Sequence, residues 1–369
     1  MKVGIVGGGP AGLITGLRLL EHGFSVDLFE EHKRIGLPAH CAGIISLKTA
    51  EKLRKILGKR FDRVIKSRFY GLKIGLIGGK PIEHTSRSVR AIMVDRPYLD
   101  QCLSEVFSEK GGRLHLGIKA EIIKNGKLTL ENGNKHEYDF LVDARGVKTY
   151  VKRNKSGKVL FSVQKEISSQ DFEEEIVEIW IDKQSSPYFF YWVFKSSDEI
   201  VRTGVACLKG GAERLIDDFI KWRFGPNARV LSRYYGFIIL SGPIKPFVDG
   251  KVLYVGDSAG QTKPLTGGGL AYGISGAEEA SKSLILNEKL GASVNLYEEN
   301  WFRRWGREIN VQLRLRRVYE KMNNRMISRI LTLIEKTGLL RALIEKGDMD
   351  RPSTFIKALI KGLFGNKLS

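Results

Sequence analysis

The stretch "KVGIVGGGPAGLITGLRLLEHGFSVDLFEEH", residues 2–32, reads as strand, glycine turn, helix, strand. Gly7, Gly9 and Gly12 form G-x-G-x-x-G, and Gly16 follows one helical turn later. Gly7 permits the tight turn, Gly9 lets the backbone approach a pyrophosphate, and Gly12 and Gly16 let the helix lie close to the sheet. The helix start then offers free N–H groups and a partial positive charge to phosphates. The second strand, "SVDLFE", ends in Glu30, whose carboxylate suits ribose hydroxyls and disfavours a 2′-phosphate. The turn alone is weak evidence. Framed by two strands, a helix and a strand-end acid, it predicts a dinucleotide site in an α/β fold.

Two later segments decide which dinucleotide. "YDFLVDARG" (138–146) is a buried strand ending in Asp143 and Gly146. "KVLYVGDSAGQTKPLTGGGLAYGISGAEEA" (251–280) is a strand, then Gly256 and Asp257, then a glycine-rich loop entering a helix. Asp257 can accept a ribityl hydroxyl. Gly267, Gly268, Gly269 and Leu270 set backbone N–H groups at the helix start, where they can hold the electron-rich edge of a reduced flavin. A typical NAD domain is contiguous over about 150 residues. Signals that leave and return across the chain argue for FAD. Arg96, in "VDRPYLDQCL", is either a pyrophosphate contact at a helix start or a surface capping arginine.

Composition bounds the rest. The 369 residues are 42% hydrophobic and 28% charged, an ordinary globular balance that allows a large core or two domains. Three cysteines, at 41, 102 and 207, have no metal-ligand spacing and suggest no disulfide framework. They fit a reducing cytosol. The strand-like start is unlike a signal peptide. No apolar run reaches the ~20 residues of a bilayer-spanning helix. A net charge of +20 attracts an anionic partner or marks a lysine-rich surface with none. No recognition module for nucleic acid accompanies the flavin signals.

These ordered motifs resemble the geranylgeranyl reductase family, within the flavoproteins built like p-hydroxybenzoate hydroxylase. The resemblance covers residues 1 to about 290. It rests on the G-x-G-x-x-G with Glu30, "DRPYLD", "DARG" followed by "KTYVKR", and "GDSAGQTKPLTGGGL". The hydroxylases carry histidine where this chain has Gly260, and asparagine soon after the final glycines, where it has "GGGLAYG". Both departures look like the reductase branch. "PAHCAGIIS" (38–46) looks like that branch's Pro-x-x-Cys-x-Gly-x-x-Ser, on Pro38, Cys41, Gly43 and Ser46. The resemblance implies that Cys41 lies by the isoalloxazine ring near the bound alkene. Unlike Cys207 in the apolar "GVACL", Cys41 sits where the backbone must turn. The family's Tyr-x-Trp-x-Phe-Pro appears as Phe190, Trp192 and Phe194 followed by Lys195, without tyrosine or proline. Period-2 spacing puts the three aromatics on one strand face, lining either an isoprenoid tunnel or a packed sheet core.

The expected architecture is a discontinuous Rossmann-type FAD domain (1–66, 89–150 and 246–290), an antiparallel substrate sheet (67–88 and 151–245) and a basic helical region (291–369). The sheet strands are "RFYGLKIGLI", "KVLFSVQKEI", "EEIVEIWID", "PYFFYWVF", "EIVRTGVACL" and "RYYGFIIL"; "AERLIDDFIKWRFG" is the helix among them. Beyond residue 291, Trp301, Trp305, Ile309 and Leu313 recur at helical spacing among arginines, and "STFIKALIKGLFGNKL" is apolar on one side and basic on the other. Such helices suit an anionic membrane surface, or else cap the core with a solvated basic face.

The expected activity is saturation of isolated double bonds in a polyprenyl chain: hydride from reduced FAD to one carbon, a proton to the other. Cys41, or a water it orders, is the candidate on the alkene side, with His40 second. The expected reductant is NAD(P)H or a ferredoxin-type carrier, and the expected location is the cytoplasm, peripheral to the inner membrane face. Competing readings are a flavin monooxygenase, a quinone-reducing flavoprotein and a non-catalytic isoprenoid carrier. The quinone reading needs iron–sulfur cysteines that do not follow Cys207.

Overall fold

The structure is a computed structural model that describes residues 1–122, 125–169, 172, 175–208 and 210–354. Most of "STFIKALIKGLFGNKL" lies outside the described residues. The helices are α1 (Pro10–Leu20), α2 (Leu47–Leu57), α3 (Arg60–Val64), α4 (Arg96–Glu109), α5 (Val147–Arg153), α6 (Ala212–Phe224), α7 (Leu270–Leu290), α8 (Leu296–Lys321), α9 (Asn324–Lys336) and α10 (Leu339–Lys346).

The first sheet has six strands in the order Val248–Asp249, Val252–Tyr254, Phe140–Asp143, Lys2–Val6, Ser25–Glu30 and Arg113–Leu116. All neighbours are parallel except the first pair. Strand Lys2–Val6 is apolar and buried along "VGIV", as a strand covered on both faces must be. The chain order reverses across it, with Ser25–Glu30 on one side and Phe140–Asp143 on the other. That switch point is where an open α/β sheet has its ligand crevice. Helices α1, α4 and α7 pack with the strands into the largest apolar cluster.

The second sheet has seven strands: Val230–Ile239, Val159–Ser168, Ile200–Cys207, Tyr191–Ser197, Ile176–Ile181, Gly71–Leu76 and Ile82–Thr85. It is antiparallel except where Ile176–Ile181 runs parallel to Gly71–Leu76. Alternation sorts its residues to two faces. Val163, Val193, Val201 and Val205 meet Ile216 and Phe219 of α6. Leu160, Trp192, Phe194 and Ala206 meet Ala42, Ile44 and Met93, next to the cysteine turn. "RFYGLKIGLI" is not one strand. Phe69 ends Ile65–Phe69, which joins a small sheet with Ala91–Val94, and the seven-stranded sheet begins at Gly71. Where the chain enters the second sheet only glycine fits, because a Cβ at Gly71 would stand 2.3 Å from the His84 carbonyl oxygen.

The C-terminal helices decide one open alternative. Trp301 and Trp305 are buried, not presented to solvent, and pack around Tyr272 of α7, Trp301 edge-on and Trp305 tilted. Their indole N–H groups donate to the Tyr272 carbonyl (3.2 Å) and the Ser275 hydroxyl (2.8 Å). The apolar face of α8 is thus a cap on the core. Helices α9 and α10 cover the far strands of the second sheet through Ile327, Leu331 and Leu340.

Candidate functional site

The glycine turn is shaped by contacts that only hydrogen atoms permit. Gly7 has φ +112°, and a Cβ there would lie 2.3 Å from the Ala144 carbonyl oxygen. A Cβ on Gly12 would lie 2.2 Å from the Gly7 oxygen. Gly9, by contrast, has nothing within 4 Å on its Cβ side. It caps α1 without a side chain, so the helix N–H groups face open space. Glu30 accepts the Gly8 N–H at 2.7 Å and the His32 N–H at 3.0 Å. Gly8 was absent from the sequence-derived set, yet it links the turn to the strand-end acid.

Strand Phe140–Asp143 brings the second segment beside the first. Asp143 is buried, and its carboxylate accepts from Arg145 (2.6 Å), Thr149 (2.9 Å) and Ser258 (3.3 Å). It anchors the strand end internally. The Gly146 N–H donates to the Ser258 hydroxyl at 2.9 Å. Asp257 differs: its carboxylate makes no hydrogen bond among the described residues. Burial pushes its carboxyl up to about 6, against the pull of the nearby Arg96 cation. A Cβ on Gly269 would lie 3.0 Å from Asp257 Oδ1, and one on Gly268 2.6 Å from Lys263 Cε. Gly267 has φ +76°. The loop is therefore pressed between Asp257 and Lys263 as it delivers Leu270 to the start of α7, whose first N–H groups have no intrahelical acceptor. An open helix start at Gly9, an unpartnered carboxyl at Asp257 and a second open helix start at Leu270 fit the phosphates, ribityl chain and ring of FAD.

The cysteine turn touches both sheets. The Val94 N–H donates to the Gly43 carbonyl at 2.9 Å, and Gly43, with φ +83°, leaves no room for a Cβ beside the Val94 oxygen. The Cys41 thiol is exposed and accepts the Gly43 N–H at 3.4 Å. From the other sheet, Arg202 donates to the Cys41 carbonyl (3.4 Å) and Gln164 to the His40 carbonyl (3.2 Å). His40 Nδ1 donates to the Tyr235 carbonyl at 2.6 Å, which leaves Nε2 as its open nitrogen. Arg96 pairs with Asp100 at 3.2 Å. Burial works against its charge, but Asp100 and the Cys41 sulfur raise its pKa. Arg96 thus lies near both the Cys41 sulfur and the Asp257 carboxylate.

Trp192 and Phe194 face the cysteine turn in one apolar cluster, and half-buried Phe190 joins that cluster to the one under α9 and α10. Sequence reading missed the rung they share with polar neighbours. Gly204 pairs with both Gln164 and Trp192, and the indole lies over it, 2.3 Å from where its Cβ would be. Trp192 Nε1 and Gln164 Oε1 are buried with no hydrogen-bond partner among the described residues. A lone glycine inside a strand was the available signal.

A family profile described as an NAD(P)-binding Rossmann-like domain matches residues 5–44. An uncharacterised protein of Methanocaldococcus jannaschii is 30% identical over 97% of this chain and 94% of its own length. The digeranylgeranylglycerophospholipid reductase of Methanothrix thermoacetophila is 23% identical over 92% of this chain and 95% of its own. The chain belongs to the geranylgeranyl reductase family. Members of this family are flavin-dependent oxidoreductases, and this chain is an enzyme of that kind. A geranylgeranyl bacteriochlorophyll reductase-like protein from Thermoplasma acidophilum superposes with a TM-score of 0.83 at 18% identity, covering 98% of this chain and 96% of that one. The p-nitrophenol 4-monooxygenase of Pseudomonas putida superposes at 0.73 with 16% identity, covering 93% and 96%. The hydroxylases therefore share the fold. At Gly260 a Cβ would stand 2.4 Å from the Gly242 oxygen and 2.6 Å from the Tyr150 ring, so this chain has no room there for a side chain.

Proposed function

We propose that this chain is an FAD-dependent reductase of isolated double bonds in a geranylgeranyl or longer polyprenyl lipid. The carrying observation is the convergence, on one crevice wall, of the Cys41 turn, Arg96, Asp257 and an apolar surface. That apolar packing is continuous from buried Trp192 through half-buried Phe190 to the C-terminal helices. Its length suits a chain without polar groups, and the relatives named as digeranylgeranyl lipid reductases support the substrate class.

In this reading the two glycine turns, Glu30, Asp257 and the start of α7 hold FAD, with Asp143 and Gly146 fixing the strand end between them. FAD, when reduced, supplies the hydride. Phe190, Trp192 and Phe194 hold the alkene and exclude water. The Cys41 thiol gives its proton to the second carbon, the neighbouring Arg96 cation stabilises the thiolate, and water restores the proton through the exposed side of the turn. His40 is the second candidate acid, through Nε2.

NAD(P)H or an acidic ferredoxin-type carrier reduces the flavin; the +20 charge favours the carrier's approach. On α9, Met326, Ile330 and Leu333 are exposed beside Arg325 and Arg329, which suits an anionic membrane surface near the lipid substrate. Sedimentation with anionic vesicles, reduced by Ile330→Glu, checks that contact. The activity is tested by reducing the FAD-loaded protein without air and adding geranylgeranyl lipids. Product mass rises by about two units per bond saturated. Coupled oxygen consumption with a hydroxylated product refutes the reading.

A further inference from the structure

Lys263 lies within the glycine-rich loop and is only 6% exposed. A buried ammonium needs a counter-charge. Its Nζ donates to Asp350 Oδ1 at 3.0 Å and to the Met349 carbonyl at 3.3 Å. Its stem crosses Gly268, so that Nζ stands 3.1 Å from where a Cβ on that glycine would be. The loop closes on itself around this residue: the Lys263 N–H donates to the Gly268 oxygen at 2.9 Å, and the Gly267 N–H to the Lys263 oxygen at 2.8 Å. The ammonium is thereby held against the glycine loop that leads into α7.

Asp350 comes from the far end of the chain. Its other carboxylate oxygen accepts from the Ser46 hydroxyl and from Thr49 Oγ1 at 3.1 Å. Ser46 closes the cysteine motif and caps α2. Tyr272 donates to the Asp350 carbonyl at 3.0 Å, and the Ser353 N–H to Glu308 at 3.1 Å, so the segment is fixed on α7 and α8. Burial works to raise the Asp350 pKa, but Lys263 and the two hydroxyls more than offset it and keep the carboxyl ionised. One carboxylate from residue 350 thus ties the start of α2 to the glycine-rich loop.

We infer that Asp350 is a positioning residue that sets the reduction potential of the bound flavin by partly neutralising Lys263. The inference rests on the FAD reading above. Two-electron reduction adds negative charge to the flavin, and a fixed cation beside its electron-rich edge favours the reduced form. In a site of low dielectric, an adjacent carboxylate withdraws much of that benefit. Removing either partner therefore has opposite effects. A merely structural pair shifts both variants in one direction or neither.

The test is anaerobic potentiometric titration of the FAD-loaded protein against a reference dye, for the parental chain, Asp350→Asn, Lys263→Met and the double variant. Asp350→Asn raises the potential and Lys263→Met lowers it. Each shift is about tenfold in the reduction equilibrium, or about 30 mV for two electrons. The double variant returns to the parental value, as does Asp350→Glu. Shifts of the same sign, or none, with FAD still bound overturn the inference and leave the FAD reading intact. A parental chain that takes up no FAD overturns both. Should Asp350→Asn not fold, Lys263→Met decides alone: a fall in potential supports the coupling, and an unchanged one refutes it.

Discussion

At the scale of single residues, the crevice contrasts two acids that look alike in sequence. Asp143 ends one strand of the first sheet and Asp257 follows another. Asp143 is enclosed by Arg145, Thr149 and Ser258, whereas Asp257 has no protein hydrogen bond among the described residues and is pushed up to about 6 by burial. A folded-state pKa above the unfolded value means that the apo protein binds more protons than the unfolded chain between about pH 4 and about pH 6, so its stability falls as pH rises through that window. A ribityl hydroxyl donates best to the ionised carboxylate. FAD affinity is thus expected to rise about tenfold from about pH 5 to about pH 7, and Asp257→Asn to flatten that rise, as measured by fluorescence of released flavin. Cys41→Ser is expected to keep FAD and lower alkene turnover by about 100-fold, the usual range for a lost proton donor. Full turnover in that variant removes Cys41 from the mechanism.

At the scale of elements, the second sheet is asymmetric. One face meets α6 through an apolar cluster and through buried Lys165, paired with Glu213 and Asp217 at 2.7 Å each. The other carries Gln164, Gly204 and Trp192 on one rung and an Arg202–Glu166 pair (2.7 Å) on the next. Polar groups on a face that looks into an apolar crevice are expensive unless they position something. Gly204 keeps the rung open. Gly204→Ala forces its methyl group against the indole and is expected to cost about 1–3 kcal/mol by denaturant unfolding, with a higher KM for the lipid. The change in KM separates displacement of Trp192 from simple loss of stability.

At the scale of the whole molecule, the proposed ligand crevice is made from segments far apart in sequence: 7–12, 30, 41, 96, 257 and 267–270. The C-terminal Asp350 closes it through Lys263 and Ser46. A ligand that spans such segments binds the folded chain and not the unfolded one. FAD at 100 times its Kd is expected to add about 2.7 kcal/mol to the unfolding free energy. An unfolding midpoint indifferent to FAD contradicts the proposed cofactor.

The sequence by itself determined the nucleotide half. Each part of that signal, from Gly7 to Glu30, is local: a turn, a helix start and a strand end whose conformations depend on residues within about one βαβ unit. The strands of the second sheet were legible for the same reason, through alternation and turn residues. The tertiary structure alone decided which side chains share a surface. It buried Trp301 and Trp305 against α7 and moved Phe69 into a different sheet from Gly71. It also set Arg96 beside Cys41, enclosed Asp143, and joined Lys263 to Asp350 across 87 positions. These pairings depend on packing between distant segments, and no spacing along one chain encodes them.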